Sequence, residues 1–200
     1  MRKVMILISV ITVLGIRLFA QPIEEQQILQ EITIDAQESV DGLSYMREEE
    51  KLARDVYLAL YEKWQARILL NIAKSEQNHT DAVAALLRKK GIDDPSAESA
   101  IGEFKHPELA NLYTELVELG SRSIQDAFLV GAIIEDLDIY DLKKFLSETD
   151  DADEIRLYSN LLRGSENHMR SFIRQLSRFS IVYEPRYISE AEFSEILGGR

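Results

Sequence analysis

Apolar residues recur with helical spacing along most of the chain, and this pattern predicts a protein built from helices. Four long stretches show it: 39–65, 68–90, a stretch that begins after Ser121 or Ser123 and reaches 146, and 152–178. A shorter helical pattern covers 108–119, between the second and third long stretches. No segment alternates apolar and polar residues for long enough to predict a strand. The pattern therefore predicts an all-α fold with four long helices and one short extra helix.

The beginning of the chain has the layout of a signal peptide. Arg2 and Lys3 precede an apolar run at 4–16, and Ala20 is a small residue at a suitable cleavage point. Because the run is too short for a comfortable membrane span, we expect a cleaved signal and export to the periplasm or the extracellular space. Arg17 interrupts the usual signal pattern, so an uncleaved membrane anchor remains the alternative.

These patterns divide the chain into four parts. They are a signal peptide at 1–20, a linker at 21–38, a helical bundle at 39–178 and a C-terminal tail at 179–200. The tail contains aromatic residues, among them Tyr183, Tyr187 and Phe193. Such side chains favour burial, so we expect the tail to pack on the bundle.

The charge balance and the absence of cysteine exclude several classes of function. The chain carries 35 acidic and 23 basic residues and a net charge of −12. A nucleic-acid-binding protein needs a basic surface to meet the phosphates, so we expect no nucleic-acid partner. With no cysteine, thiolate catalysis, iron–sulfur clusters and rubredoxin-type iron sites are all excluded.

A Glu-x-x-His unit lies within the second helical stretch and carries the clearest chemical signal. Glu76 and His79 are three residues apart, so on a helix they lie on the same face. That face is the apolar stripe, where an uncompensated carboxylate costs several kcal/mol. A metal ion held jointly by Glu and His would compensate this charge, as in helical di-metal proteins. A satisfied polar pair in the core is the alternative.

Carboxylates also interrupt the apolar faces of the first and third stretches. Glu48, Glu49 and Glu50 are typical of a solvated charge run, but Glu50 has the spacing of an inward-facing residue and Glu49 lies on its flank. In the third stretch, Glu135 lies at the centre of the apolar face. Asp138 follows one turn later, and it is either a further ligand or the N-cap of a separate short helix after a break.

The fourth stretch contains only part of a second Glu-x-x-His unit. His168 lies on the apolar stripe, but the position three residues before it is Ser165. Glu166 lies on the opposite edge of the stripe, about 160° from His168 at the helical step of about 100° per residue. We therefore expect His168 to be a ligand and one metal position to have fewer protein ligands, with Asp138 filling part of the gap.

Together these segments resemble the rubrerythrin and ferritin-like superfamily, and more closely the family known as DUF2202. The matching segments are 46–57 (MREEEKLARDVY), 75–79 (SEQNH), 131–138 (GAIIEDLD), 161–168 (LLRGSENH) and 183–187 (YEPRY). The resemblance covers nearly everything from about Asp41 onward. It implies a ferritin-like four-helix bundle with a di-metal centre, and the candidate ligands are Glu50, Glu76, His79, Glu135, His168 and Asp138.

Two classes of function remain open. The first is an exported redox or metal-handling protein that holds two metal ions, iron as first choice and manganese or zinc as alternatives. It would oxidise iron(II) or reduce peroxide, with dioxygen or peroxide as the oxidant. Because the chain lacks cysteine, its electrons would come from an external donor. The second class is a metal-free or singly metallated helical module that binds a partner at the cell envelope. Whether the protein is an enzyme, and whether it forms a homo-oligomer, stays open.

Overall fold

The computed structural model describes residues 41–199, and this part of the chain forms helices and loops, without a strand. The predicted signal peptide and linker lie outside the described residues. The helices are α1 (Gly42–Trp64), α2 (Arg67–Lys90), α3 (Pro107–Gly120), α4 (Ile124–Glu148), α5 (Ala152–Ser177) and α6 (Glu190–Gly198). The predicted all-α fold is confirmed, and α3 is the short extra helix between the second and third long ones.

The four long helices pack as two hairpins that form a bundle. α1 packs along α2, and α4 packs along α5. The hairpins meet through contacts of α1 with α4 and of α2 with α5, and α3 packs against both α1 and α4. The connections within each hairpin are short, as expected for neighbours in a helical bundle. The longer connection at 91–123, which includes α3, joins the two hairpins.

Local capping explains most of the helix ends. The side chain of Asp41 accepts a hydrogen bond from the backbone at the start of α1, and Ser123 and Asp151 do the same for α4 and α5. These side chains satisfy backbone N–H groups that have no partner within the helix. Gly91 ends α2 in the left-handed conformation, with φ of 71°, where a glycine avoids steric strain.

α4 continues through Asp138, so the predicted break at this residue is wrong. Asp138 lies in the middle of the helix and is buried, and its carboxylate accepts a hydrogen bond from Ser165 of α5. Asp138 does not cap a helix, because an N-cap requires free backbone N–H groups. The apolar face of α4 also continues beyond this point through Ile139 and Leu142, which are both fully buried.

The tail packs on the bundle and ends in a helix that the sequence patterns did not predict. The carboxylate of Asp136 in α4 accepts hydrogen bonds from the Tyr183 hydroxyl at 2.7 Å and from the backbone N–H groups of Arg186 (2.6 Å) and Ile188 (3.1 Å). α6 then packs against α5. Its N-terminus is a capping box formed by Ser189 with the glutamate three residues later, which is a signal that the sequence does contain.

The run of acids on α1 is buried, so its interpretation as a solvated charge run is wrong. The 91–106 loop covers the outer face of α1, and the Glu48 carboxylate accepts the backbone N–H groups of Lys105 and His106 at 2.7 and 2.8 Å. We call Glu48, Lys51 and Asp55, together with this loop, the outer network. Since the loop is distant in sequence, helical periodicity alone did not predict the contact.

Lys51 lies at the middle of the outer network and is almost completely buried. Its ammonium group donates to Asp55 at 2.6 Å and to the carbonyls of Ala100 (2.7 Å) and Glu103 (3.0 Å). It also lies 4.3 Å from the centre of the Phe104 ring. A buried ammonium is stable only when its donors are satisfied, and here they are.

Within residues 41–199, no helix is both long enough and apolar enough to cross a membrane.

Candidate metal centre

Three glutamates from three different helices meet in the interior of the bundle. Glu50 comes from α1, Glu76 from α2 and Glu135 from α4, and their exposed fractions are 1%, 2% and 2%. Each occupies a position on its helix that an apolar residue would normally fill. Helical spacing is responsible, because each lies on the same face as the apolar residues one turn away.

Glu50, Glu76 and His79 form the first of two groups. The Nδ1 atom of His79 lies 3.1 Å from Glu50 Oε2 and 2.7 Å from Glu76 Oε2. One ligand atom from each residue can be chosen so that all lie within 4.8 Å of one another. Two carboxylates and one imidazole are ligands suited to iron, manganese or zinc.

Glu76, Glu135 and His168 form the second group. The Nδ1 atom of His168 lies 2.7 Å from Glu76 Oε1 and 3.6 Å from Glu135 Oε2. Glu76 thus belongs to both groups and directs one oxygen atom towards each histidine. The two groups have the same composition, so the serine at position 165 does not leave the second group with fewer members than the first.

Asp138 and Ser165 occupy the place where a symmetric centre would have a fourth-helix glutamate. The Ser165 hydroxyl donates to Asp138 Oδ2 and also contacts the carbonyl of Leu161. Ser165 of α5 therefore lies against the carboxylate of Asp138, which belongs to α4. Asp138 is not a member of either three-residue group. Glu166 is only half-buried and is also in neither group. We call Glu50, Glu76, His79, Glu135, Asp138 and His168 the central cluster.

Four buried atoms of the central cluster have no hydrogen-bond partner. They are Glu50 Oε1, Glu76 Oε1, Asp138 Oδ1 and His168 Nδ1. Two of them, Glu76 Oε1 and His168 Nδ1, are 2.7 Å apart but lack the alignment of a hydrogen bond. Buried polar atoms are almost always satisfied in native proteins. Donor atoms that converge without bonding each other fit a shared cation.

Three of the four carboxylates of the central cluster, those of Glu50, Glu135 and Asp138, are difficult to ionise in the absence of a cation. Burial raises the pKa of Glu50 to about 7, although the neighbouring His79 opposes the shift. Burial also raises the pKa of Glu135, with repulsion from Glu76 adding to it. The pKa of Asp138 rises for the same reason, with repulsion from Glu50 and Glu135.

The two histidines and Glu76 stabilise each other's charges. Burial by itself would lower the pKa of His79, but Glu50 and Glu76 raise it to about 12. Burial likewise opposes protonation of His168, yet Glu76 and Glu135 raise its pKa to about 10. Glu76 has the opposite shift: burial would raise its pKa, but the contacts with His168 and His79 lower it to about 2. If all four carboxylates were ionised, two imidazolium ions would not neutralise them, and a bound cation would supply the missing positive charge.

Tyr57 and Gly131 form the wall of the central cluster on one side. The buried Tyr57 hydroxyl donates to Glu135 Oε1 at 2.6 Å. A Cβ atom at Gly131 would lie only 2.3 Å from the ring of Phe172, so no side chain fits there without a shift of that ring. The Phe172 ring in turn packs on Tyr57, with the ring centres 5.3 Å apart.

A second glycine determines the space around His79. A Cβ atom at Gly164 of α5 would lie 2.5 Å from Cε1 and 2.6 Å from Nε2 of His79. A glycine in a helix interior is unfavourable by about 1 kcal/mol relative to alanine, which makes it a sequence signal for a close approach. Gly164 thus contacts a residue of the central cluster, although helical periodicity alone did not identify it.

Three further polar residues lie beside the central cluster and were also missed. Glu49, expected only on the flank of the α1 face, is buried, and so are Tyr45 of α1 and Asp141 of α4. Their spacing contains a signal in retrospect: Tyr45 and Glu49 are one turn apart on α1, and Asp138 and Asp141 are one turn apart on α4.

Comparison with known proteins places the chain in a family. A family model described as "Uncharacterized protein domain (DUF2202)" matches residues 39–200, and the chain belongs to this family. It is similar to the uncharacterized protein MJ0754 of Methanocaldococcus jannaschii, with 52% identity over 162 residues, which cover 81% of this chain and 88% of that protein. The crystal structure of hypothetical protein MJ0754 matches with a TM-score of 0.79, over 80% of this chain and 91% of that chain.

Proposed function

We propose that this member of the DUF2202 family is a ferritin-like protein whose central cluster holds two metal ions. The observation that supports this most directly is the position of Glu76, which directs one oxygen towards each of two histidines. A carboxylate shared in this way is how a bridging ligand is arranged. Two buried oxygens near it without a hydrogen-bond partner, Glu50 Oε1 and Asp138 Oδ1, support the same proposal.

Each proposed ion has two carboxylates and one imidazole. Glu50, Glu76 and His79 would hold one ion, and Glu76, Glu135 and His168 the other. Asp138 is available to either position through its unpartnered Oδ1 atom. Mixed carboxylate and imidazole ligands favour iron, with manganese or zinc as the alternatives. A bound pair of iron or manganese ions would supply electron transfer with dioxygen or peroxide.

The chain's own residues orient these ligands and exclude water. The Tyr57 hydroxyl holds Glu135 through one oxygen, and Ser165 holds Asp138 through one oxygen. Each hydrogen bond leaves the second oxygen of the carboxylate available for an ion. Burial of the cluster keeps the surroundings at low dielectric, which strengthens charge interactions with a bound cation.

The proposed activity is redox or metal-handling chemistry, either oxidation of iron(II) or reduction of peroxide. Because the chain has no cysteine, an external donor would supply the electrons. The signal-like start of the chain supports the proposal that this chemistry occurs outside the cytoplasm. The alternative, a helical module that binds a partner without metal, leaves the unpartnered carboxylates unexplained.

The test is metal content measured by elemental mass spectrometry, on protein purified without chelators. We expect two ions per chain in the central cluster of the wild type and their loss in Glu76→Gln, since this variant removes the shared ligand. Glu48→Gln is the matched control, because Glu48 is an equally buried acid whose oxygens are satisfied by backbone N–H groups. Equal metal content in Glu76→Gln and Glu48→Gln would refute the proposed centre.

The redox activity is tested separately. Wild-type protein loaded with iron(II) is mixed with dioxygen or with peroxide, and the rate of iron oxidation is followed by absorbance. We expect oxidation faster than that of free iron(II) under the same conditions, and no acceleration by Glu76→Gln. A wild type that binds iron but accelerates neither reaction would support metal binding and refute the redox activity.

A further inference from the structure

We propose that Glu49, Asp141 and Tyr45 form a separate divalent-cation site beside the central cluster, which we call the lateral site. The proposal is independent of any chemistry at the central cluster. α1 and α4 pack against each other, and each contributes to the lateral site from a position next to the cluster. Glu49 adjoins Glu50 in sequence, and Asp141 is one turn beyond Asp138.

The first observation is a buried carboxylate without a donor. Glu49 is only 2% exposed, and neither of its oxygens accepts a hydrogen bond from an N–H or O–H group. The carboxyl group of Asp141 on α4 lies close to it, and ionised carboxylates can only accept hydrogen bonds. Two acidic groups therefore face each other in the interior, and something positive must lie between them, either a proton or a cation.

The second observation is a buried, unpartnered hydroxyl near the same two acids. Tyr45 is only 6% exposed, and its hydroxyl has no hydrogen-bond partner. The charged groups with the largest influence on this hydroxyl are Glu49 and Asp141. The ring is fixed by an edge contact with His106 at 5.3 Å and by Phe145 at 6.0 Å. A phenol that is held beside two carboxylates without bonding either leaves its oxygen free for a ligand.

The third observation is the sign of the surrounding charge. The strongest electrostatic influences on Glu49 come from Asp141, Asp138 and Glu50, which are all acidic. The positive charge of Lys144 lowers the pKa of Asp141, whereas the negative charge of Glu148 raises it. This contrasts with the outer network one residue away, where Glu48 is satisfied by two backbone N–H groups.

The ligand chemistry differs from that of the central cluster. The lateral site offers only oxygen atoms, two carboxylates and a phenol, whereas each central group includes an imidazole. Oxygen ligands favour hard divalent cations such as magnesium, calcium or manganese(II), and imidazole favours zinc and iron. The two sites should therefore differ in metal preference, and manganese(II) is a suitable probe because electron paramagnetic resonance can count it.

The experiment uses manganese(II) titration of the full protein, with bound ion counted by electron paramagnetic resonance. Glu76→Gln protein, which lacks the shared central ligand, should still bind one manganese(II) ion per chain. Addition of Glu49→Gln should abolish this binding, and addition of Glu48→Gln should leave it unchanged. If Glu49→Gln does not fold, Asp141→Asn removes the other carboxylate of the lateral site, at a residue nearer the surface.

Tyr45→Phe should weaken the remaining binding less than either carboxylate variant does, because it removes a neutral ligand. If Glu49→Gln and Asp141→Asn bind as much manganese(II) as Glu48→Gln in the same background, the two acids share a proton and the lateral site is refuted. Failure of the central proposal gives a different result. If the central cluster holds no metal, Glu76→Gln alone would bind as much metal as the wild type, whatever the effect of Glu49→Gln.

Discussion

The two faces of α1 differ in how completely their charges are satisfied. On the outer face, the ammonium of Lys51 donates to three oxygen atoms. The Asp55 carboxylate accepts hydrogen bonds from Lys51, from Arg54 and from the backbone N–H of Gly102. On the inner face, both oxygens of Glu49 and one oxygen of Glu50 have no donor. Glu49, Glu50, Lys51 and Asp55 are neighbours in one run of sequence, and all four are buried.

The two faces thus differ in whether the chain itself supplies partners for the buried charges. The outer network is complete within the chain, so it stabilises the fold without any added ion. The inner groups are incomplete, and an incomplete set of buried acids costs free energy unless a proton or a cation is added. Conditions that change cations or pH should therefore act on the inner face and leave the outer face unaffected.

The largest expected effect comes from breaking the outer network at Lys51. Lys51→Met keeps the length of the side chain but removes the ammonium, which leaves Asp55 and two carbonyls short of a donor. We expect a loss of about 3–5 kcal/mol in the free energy of unfolding, measured by urea denaturation. Lys63→Met, at an exposed position of the same helix, is the control and should stay within about 0.5 kcal/mol.

Metal addition should produce the next largest effect, through the inner face. An ion that binds only the folded state stabilises it by about 2.7 kcal/mol at a hundredfold excess over its Kd. For a chain of this size, this corresponds to a rise of roughly 5–10 °C in Tm. Differential scanning calorimetry with iron(II) or manganese(II), reversed by a chelator, provides the measurement. Lys51→Met should show the same rise, and an unchanged wild-type Tm would contradict the inner-face interpretation.

Glu50→Gln should stabilise the metal-free protein by about 1–3 kcal/mol above pH 7, since it removes a buried charge. Burial raises the pKa of Glu50 from 4.5 to about 7 in the folded state. The protonated form is thus favoured by folding, and its contribution is complete below pH 4.5 and lost as the pH rises through 7. Stability of the metal-free wild type, measured by urea denaturation, should fall over this window.

The variant should show a smaller fall between pH 4.5 and 7, because it has no proton to lose at position 50. Equal slopes of stability against pH for the wild type and Glu50→Gln would contradict the raised pKa of Glu50.

The contacts around Glu76 show why this residue is a poorer choice for stabilisation. Its pKa is lowered to about 2 by two histidines, so Glu76→Gln removes two favourable pairings and should not stabilise the metal-free protein.

The smallest expected effect concerns Gly164. Gly164→Ala places a Cβ atom 2.5 Å from the His79 ring, and the ring must rotate or move by about 0.9 Å to reach an ordinary contact of 3.4 Å. We expect metal affinity to fall by roughly tenfold, measured by competition with a chromogenic chelator. Gly198→Ala is the matched control, since a Cβ atom there meets nothing within 4 Å. The same affinity in both variants would show that the close approach to His79 does not determine ligand orientation.

Helical periodicity is sufficient to predict which inward faces contribute to the central cluster. Glu50, Glu76 and Glu135 each occupy an apolar stripe, and the structure brings them together with both histidines. Their role as metal ligands stays a prediction. Family resemblance added the DUF2202 assignment, which the comparison confirms.

Contacts between residues distant in sequence account for what the patterns missed. Glu48 is buried because the 91–106 loop covers it, and Glu49 because Asp141 of α4 faces it. Neither partner is visible in the local pattern of α1. Asp138 was interpreted as a possible cap because its partner, Ser165, belongs to another helix. The capping box of α6 and the interior Gly164 were visible in the sequence but were not used.

The hydrogen bonds between Asp136 and the tail have a consequence for the order in which the protein folds during synthesis. Asp136 adjoins Glu135, and its partners at 183–188 follow all four long helices in the chain. During synthesis these residues emerge from the ribosome after α5, so Asp136 has no donors until then. We therefore expect the part of the bundle around Asp136 to reach its final hydrogen bonding only after the tail has been made. Metal binding by the proposed centre would then follow translation of the tail.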